Sequence, residues 1–207
     1  VFDMLSGAAT LIKRSIALKV GGIDEDFFFG GGDGEFTIRV TLAGYRCVNV
    51  PGAVAWHWAK PRGTSYVFYQ VRNRWYLILK LYSWKTLVLL APALLCYELM
   101  MMVFLSLKGV GREYWRGTMA AFRHWPIVRE KRRQFQPLKV KRDRDWLRAG
   151  RVFLPDSVVN DAIPRRFIQG FFGLANMYWW LIRPSAWLRC SKSSDSCRSP
   201  WRPISVK

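Results

Sequence analysis

The sequence predicts an α/β segment followed by a mainly α-helical, membrane-associated region. Three observations lead there. In residues 1–74 short apolar runs are separated by glycine and proline turns and by one stretch of helical period. From Trp75 the chain becomes strongly hydrophobic, and Thr86–Leu107 spans 22 residues with Glu98 as its one charge, where roughly 20 apolar residues suffice to cross a bilayer. The charge is also split: residues 1–74 carry 9 basic and 6 acidic side chains, while residues 75–207 carry 24 and 8, within a net charge of +19.

Taken in order, Met4–Ile12 is an apolar run of small residues that suits a buried strand or its approach. Ser15 is placed to cap a short helix over Ile16–Val20, which Gly21-Gly22 would end in the left-handed manner. Ile23–Phe27 reads as an acidic loop leading into Phe27–Phe29. Gly30–Gly32 then mark a bend, because three glycines in a row favour no regular element. A helix is expected from about Asp33 to Ala43, with Asp33 at or near its N-cap and Glu35 in its first turn, where the helix dipole favours negative charge. Glu35 and Arg39 are four apart and suit an ion pair. Gly44 ends this helix, Tyr45–Val50 reads as a strand, Pro51-Gly52 turns the chain, and Ala53–His57 reads as a second short strand.

Residues 75–107 form the membrane-associated element, and basic residues flank it on both sides: Arg72, Arg74, Lys80 and Lys85 before, Lys108, Arg112, Arg116 and Arg123 after. A single crossing would place one basic set outside, against the positive-inside tendency. A hairpin or re-entrant pair bending near Pro92, or a helix lying in the interface, keeps both flanks on the cytoplasmic side. Residues 108–189 read as a basic, helical, interfacial region in which Arg112–Arg151 form a solvated face, and Phe167–Ile182 is a second apolar segment. Asp143-Arg144-Asp145 reads as part of the solvated face, and residues 190–207 as a disordered tail. The four cysteines show no paired spacing and read as reduced thiols of a cytosolic protein, with a Cys190–Cys197 bridge as the alternative. The start of the chain shows no signal peptide.

The ordered series SGAATLIKRSIALKVGGIDEDFF and GDGEFTIRVTLAGYRCVNVPGAVAWH resembles the second half of the catalytic domain of glycosyltransferase family 2, especially its rhamnosyltransferase-like bacterial members. The resemblance covers roughly residues 5–80. It implies a partial GT-A fold, the Rossmann-like fold of nucleotide-diphospho-sugar transferases, with residues 1–74 as the acceptor-side half. Matched residue by residue, Asp33 takes the place of the catalytic aspartate, Glu35 that of the second acidic residue, and Arg39 that of the family's arginine. Gly32 stands where a glutamate commonly precedes the aspartate.

The chemistry accounts for an acid at this point. Inverting sugar transfer needs a base to take the proton from an acceptor hydroxyl as it attacks the anomeric carbon, opposite the departing nucleoside diphosphate. Residues two apart on a helix point in different directions, so Asp33 is expected to be the base and Glu35 its support. The resemblance further implies that His57 faces the diphosphate or its metal, and that Arg72 and Arg74, in YQVRNRWY, face phosphate. It implies a divalent cation, magnesium or manganese, whose main ligands belong to an earlier donor-binding half with an Asp-x-Asp motif. That half has no counterpart here, so a fragment inactive on its own is expected. The implied partners are a nucleotide-sugar donor, a lipid-linked or cell-envelope glycan acceptor and an anionic membrane surface on the cytoplasmic side of the cell membrane. A basic nucleic-acid-binding protein and a noncatalytic membrane-peripheral domain are the competing readings. The hydrophobic segments and the lack of a recognisable binding module disfavour nucleic acid.

Overall fold

A computed structural model describes residues 9–48, 50, 52–56, 58 and 65–147, together with positions 170, 173–174, 177–178 and 180–182. Among the described residues up to 147 seven α-helices are found: α1 (Arg14–Lys19), α2 (Gly32–Leu42), α3 (Ser65–Leu81), α4 (Trp84–Leu107), α5 (Gly111–Arg123), α6 (Trp125–Phe135) and α7 (Asp143–Trp146), with a 3₁₀ turn at Gln136–Leu138.

No strand occurs among the described residues. The α/β expectation is therefore not met there. The described parts of Tyr45–Val50 and Ala53–His57 are irregular, and Met4–Ala8 lie outside the described residues. A single extended segment is not a sheet: alternation of side chains becomes a strand only where a neighbouring chain takes up its backbone hydrogen bonds.

The helix ends follow local rules. Gly21, Gly44 and Gly109 have φ of +87°, +90° and +76° and stand just past α1, α2 and α4. At each, the two amides after the cap return to the last turn: after α2, Gly44 N–H donates to Thr41 O at 3.1 Å and Tyr45 N–H to Val40 O at 3.2 Å. Starts were less legible. α1 begins at Arg14 after Lys13, so Ser15 lies inside it. α2 begins after Gly31 at φ +78°, which puts Asp33 second in the helix, two residues past the cap. Ser83 caps α4 by accepting from Thr86 N–H at 3.2 Å.

α3 is the axis of the molecule. α5 and α6 both pack against it, and α4 packs on α5. The closest approach is at Gly117, where an added Cβ would stand 2.6 Å from the Phe68 carbonyl oxygen and 3.2 Å from Val71 Cβ. Three apolar clusters fill the spaces. Phe27, Tyr76, Leu79, Ala121 and Val128 join the aromatic loop to α3, α5 and α6. Ile38, Leu42, Leu81 and Phe135 join α2 to α3 and α6. Val20, Phe36, Val40 and Cys47 hold α1 and the chain after α2 against its other side.

Three expectations for the later chain are corrected. α4 runs unbroken through Pro92, so no hairpin forms there. A proline in a helix interior removes one amide donor, and Pro92 is exposed; the helix continues past it. Asp143 is buried: it ion-pairs with Lys139 and accepts from Ser83 N–H at 2.6 Å, tying α7 to the start of α4. Arg132 is likewise buried, and its guanidinium donates to the Leu79 and Tyr82 carbonyls at 2.7 and 2.5 Å, closing the C-terminal end of α3. The solvated face expected over Arg112–Arg151 is thus partly an internal clasp. The expected tail 190–207, with Cys190 and Cys197, lies outside the described residues.

Candidate active site

The loop Ile23–Gly31 delivers the chain to α2 through three successive residues of positive φ: Phe29 at +62°, Gly30 at +128° and Gly31 at +78°. Glycine adopts such angles without cost, whereas a phenylalanine does not. The neighbouring helix supplies the restraint. Asn73 of α3, buried, donates from its amide to Phe28 O at 3.0 Å and to Gly30 O at 2.7 Å. Arg72 donates to Asp26 O at 2.7 Å and to the Asn73 side-chain oxygen at 3.0 and 3.1 Å. Its guanidinium lies 5.1 Å from the Tyr69 ring centre and 5.2 Å from that of Tyr76. The aromatic run is thereby clipped to α3 at three carbonyls. Gly32 also has a local reason: a Cβ there would stand 3.3 Å from Phe27 Cβ.

On α2 the two carboxylates separate as their spacing requires. Asp33 is exposed, and its Oδ1 accepts from Gly34 N–H at 2.8 Å. Glu35 is wholly buried. Its Oε1 pairs with Arg39 Nε at 2.7 Å and Lys80 Nζ at 2.8 Å. Arg39 reaches further, donating to the Val20 carbonyl and, at 2.6 Å, to the Gly22 carbonyl just past α1. Lys80 also pairs with Asp24 at 2.5 Å. Lys131 of α6 pairs with Asp24 and, at 2.5 Å, with Asp26. Burial alone would push the Asp24 carboxyl up, but hydrogen bonds from Lys131 and Lys80 outweigh it and hold the carboxyl below its ordinary value. For Lys131 burial acts downward, and the hydrogen bonds to Asp24 and Asp26 leave its ammonium raised. Beside this network lies an open cleft of about 360 Å³, lined by Lys19, Gly21, Asp24, Asp26, Lys131 and Gln134 among others.

The remaining expected site residues are placed elsewhere or not described. Arg74 pairs with Glu98 of α4, donates to Tyr114 Oη at 3.2 Å, and lies 4.8 Å from the Tyr97 ring centre. Its guanidinium is thus engaged between helices. Arg72 is engaged with the loop backbone. His57 lies outside the described residues. Among the described residues no group of three or more His, Cys, Asp or Glu side chains is placed to hold a metal. The carboxylates of the cleft, Asp24 and Asp26, already face Lys80 and Lys131, a poor fit for magnesium or manganese, which need oxygen ligands left open.

Sequence reasoning missed Asn73, Asp24 and Lys80. Lys80 carried a signal: it is the one charge in the apolar run WYLILKLY, and a lone lysine in such a setting is buried only when paired.

Residues 2–128 match the model of glycosyl transferase family group 2, well over half of the chain. The chain belongs to glycosyltransferase family 2. The match takes in the loop, α2, α3, α4 and α5 as one stretch, reaching well past the residues that carried the resemblance in the sequence. No curated protein and no solved structure matches the chain. Family membership makes glycosyl transfer the chemistry in question, and the exposed acid beside this network is Asp33.

Proposed function

We propose that the chain is the acceptor-side half of an inverting, GT-A-type family 2 glycosyltransferase with Asp33 as its base. The supporting observation is the contrast between the two acids of α2. Glu35 is buried between Arg39 and Lys80, so its role is to fix the helix. Asp33 is exposed at the second helical position, directly after a loop clipped to α3. In the reaction an acceptor hydroxyl attacks the anomeric carbon of a nucleotide sugar, Asp33 takes the hydroxyl proton, and the nucleoside diphosphate departs from the opposite face with the bonding electrons. The acceptor is a lipid-linked or cell-envelope glycan, met at the cytoplasmic side of the cell membrane. His57 is the proposed contact to the diphosphate. Arg72, Arg39 and Arg74 are positioning residues, each acting through the loop or helix that it holds.

The test supplies a donor-binding α/β segment of the family ahead of Val1 and measures transfer from a panel of nucleotide sugars, dTDP-rhamnose included, to lipid-linked acceptors. Asp33→Asn is expected to lower turnover by ~10² to 10⁴, the usual worth of a positioned base. It should leave the folded helix content unchanged. Full turnover by Asp33→Asn would remove Asp33 from the chemistry.

A further inference from the structure

α4 presents an apolar surface that nothing in the described structure covers. Val88, Leu95, Leu99, Val103 and Leu107 are between 60% and 73% exposed, and their spacing of four and seven places them on one side of the helix. Thr86 and Phe104 are its buried residues. A second apolar element stands beside it. Tyr178 donates to the Leu89 carbonyl at 2.6 Å, and the helical positions around it carry exposed Leu174, Met177, Trp180 and Leu181. At 24 residues, α4 is about 36 Å long at 1.5 Å per residue, enough to cross a bilayer.

Its other side argues against crossing. Glu98, near the middle of α4, is held by Arg74 of α3 and accepts from Tyr114 Oη of α5 at 2.5 Å. α5 is in contact with α4, and exposed Arg112, Arg116 and Arg123 lie on α5. A helix standing along the membrane normal would take these arginines and the Arg74–Glu98 pair into hydrocarbon, where uncompensated charge is costly. A helix lying in the plane avoids that. Its stripe enters the acyl boundary, while Lys85, Lys108 and the α5 arginines remain at headgroup level, where an anionic leaflet attracts them.

We infer that α4 lies flat on an anionic membrane surface, its Val88–Leu107 stripe in the acyl boundary, and that it stays part of the α3–α5 body and does not cross the bilayer. This deepens the membrane association proposed above and rests on it. The occupant of the stripe is lipid: exposed Arg112, Arg116 and Arg123 stand on α5, which contacts α4, and residues 75–207 carry 24 basic side chains against 8 acidic, the charge that an anionic leaflet attracts.

The test uses the full chain with its cysteines replaced by serine and one cysteine introduced for a fluorescent label, as Val88→Cys, Leu99→Cys or Leu107→Cys. Each protein is mixed with vesicles of phosphatidylglycerol and phosphatidylcholine in equal parts, carrying quenchers at shallow or deep acyl positions. All three labels are expected at one shallow depth, about 5–10 Å below the headgroups. Binding should fall at least tenfold on pure phosphatidylcholine. A Leu99 label quenched best by deep lipid, with Val88 and Leu107 labels shallow, would show a crossing helix and overturn the flat orientation while leaving membrane association standing. Equal binding to neutral vesicles would overturn the anionic preference. No binding to either vesicle would overturn membrane association as a whole, whatever the outcome of the Asp33 experiment. As a second variant, Leu95→Glu with Leu99→Glu should abolish vesicle binding at unchanged helix content; undiminished binding by that folded variant would remove the stripe from the contact.

Discussion

Replacing Lys80 by methionine keeps the length and apolar stem of the side chain and removes the charge that joins α3 to the loop and to α2. Lys80 is 6% exposed, and its two carboxylate partners, Asp24 and Glu35, are 5% and 0% exposed. Removing one partner of a buried ion pair costs about 3–5 kcal/mol, because the other charge stays desolvated. Here each carboxylate keeps one cation, Lys131 for Asp24 and Arg39 for Glu35, so the lower end applies: about 3 kcal/mol. That is a large part of the ~5–15 kcal/mol that holds a domain together. The assay is urea unfolding followed by circular dichroism in one mild detergent, with Lys85→Met as the exposed control, expected within about 0.5 kcal/mol of the parent. The double variant Lys80→Met with Asp24→Asn should be more stable than the sum of the two single losses, since the pair shares one network. A loss below about 1 kcal/mol for Lys80→Met at unchanged denaturant slope, or simple additivity in the double variant, would refute the linkage.

Gly117→Ala should destabilise by about 1–3 kcal/mol, because its Cβ would meet the Phe68 carbonyl oxygen at 2.6 Å and α5 would have to move off α3. Helix propensity alone predicts the reverse, a gain of about 1 kcal/mol, so the sign of the change in urea midpoint decides. The pH dependence follows from three shifted groups. Asp24 and Asp143 are held below the ordinary carboxyl value, burial being outweighed by Lys131 and Lys80 in the first and by Lys139, Thr86 and Ser83 in the second. Their stabilisation is complete above about pH 4 and is lost as pH falls through the depressed folded values. Lys131 is raised against the pull of burial by Asp24 and Asp26, so its contribution is complete below about pH 10 and fades as pH rises through the raised value. Urea midpoints should be flat between these limits and fall toward acid, and a midpoint that rises between pH 5 and pH 3 would contradict the burial of these pairs.

What was legible in the sequence depended on local rules. The ends of α1 and α2 were marked by Gly21-Gly22 and Gly44 because a left-handed residue after a helix is a property of the chain itself. The separation of Asp33 from Glu35 followed from helical period, and the Glu35–Arg39 pair from i, i+4 spacing. The strands expected at Tyr45–Val50 and Ala53–His57 depended on pairing partners, which local alternation does not supply. Of the two arrangements open for residues 75–107, a pair bending near Pro92 or a helix lying in the interface, the bend does not form, since α4 continues through Pro92. The internal cations were hardest to see. Asp24 and Lys131 lie 107 positions apart, and a lysine in REKRRQF looks the same whether it meets water or a buried aspartate.

The buried charge of Glu35 explains why the loop before Asp33 tolerates a strained Phe29. A carboxylate with no exposure is costly unless it is paired, and its two partners come from different directions: Arg39 extends to the carbonyls that end α1, and Lys80 brings α3 and, through Asp24, the start of the loop. Any rotation of α2 that relaxed the loop would separate Glu35 from at least one cation. Its Oε2 is buried without a hydrogen bond, so both cations hold the carboxylate through Oε1 alone. The helix direction is therefore set from within the core, and the loop adapts to it through Phe29, Gly30 and Gly31, held by Asn73. On this view Glu35 acts on Asp33 only through the position of α2. Glu35→Gln should then alter the stability of the helix body first, and transfer only in proportion to how far Asp33 is displaced.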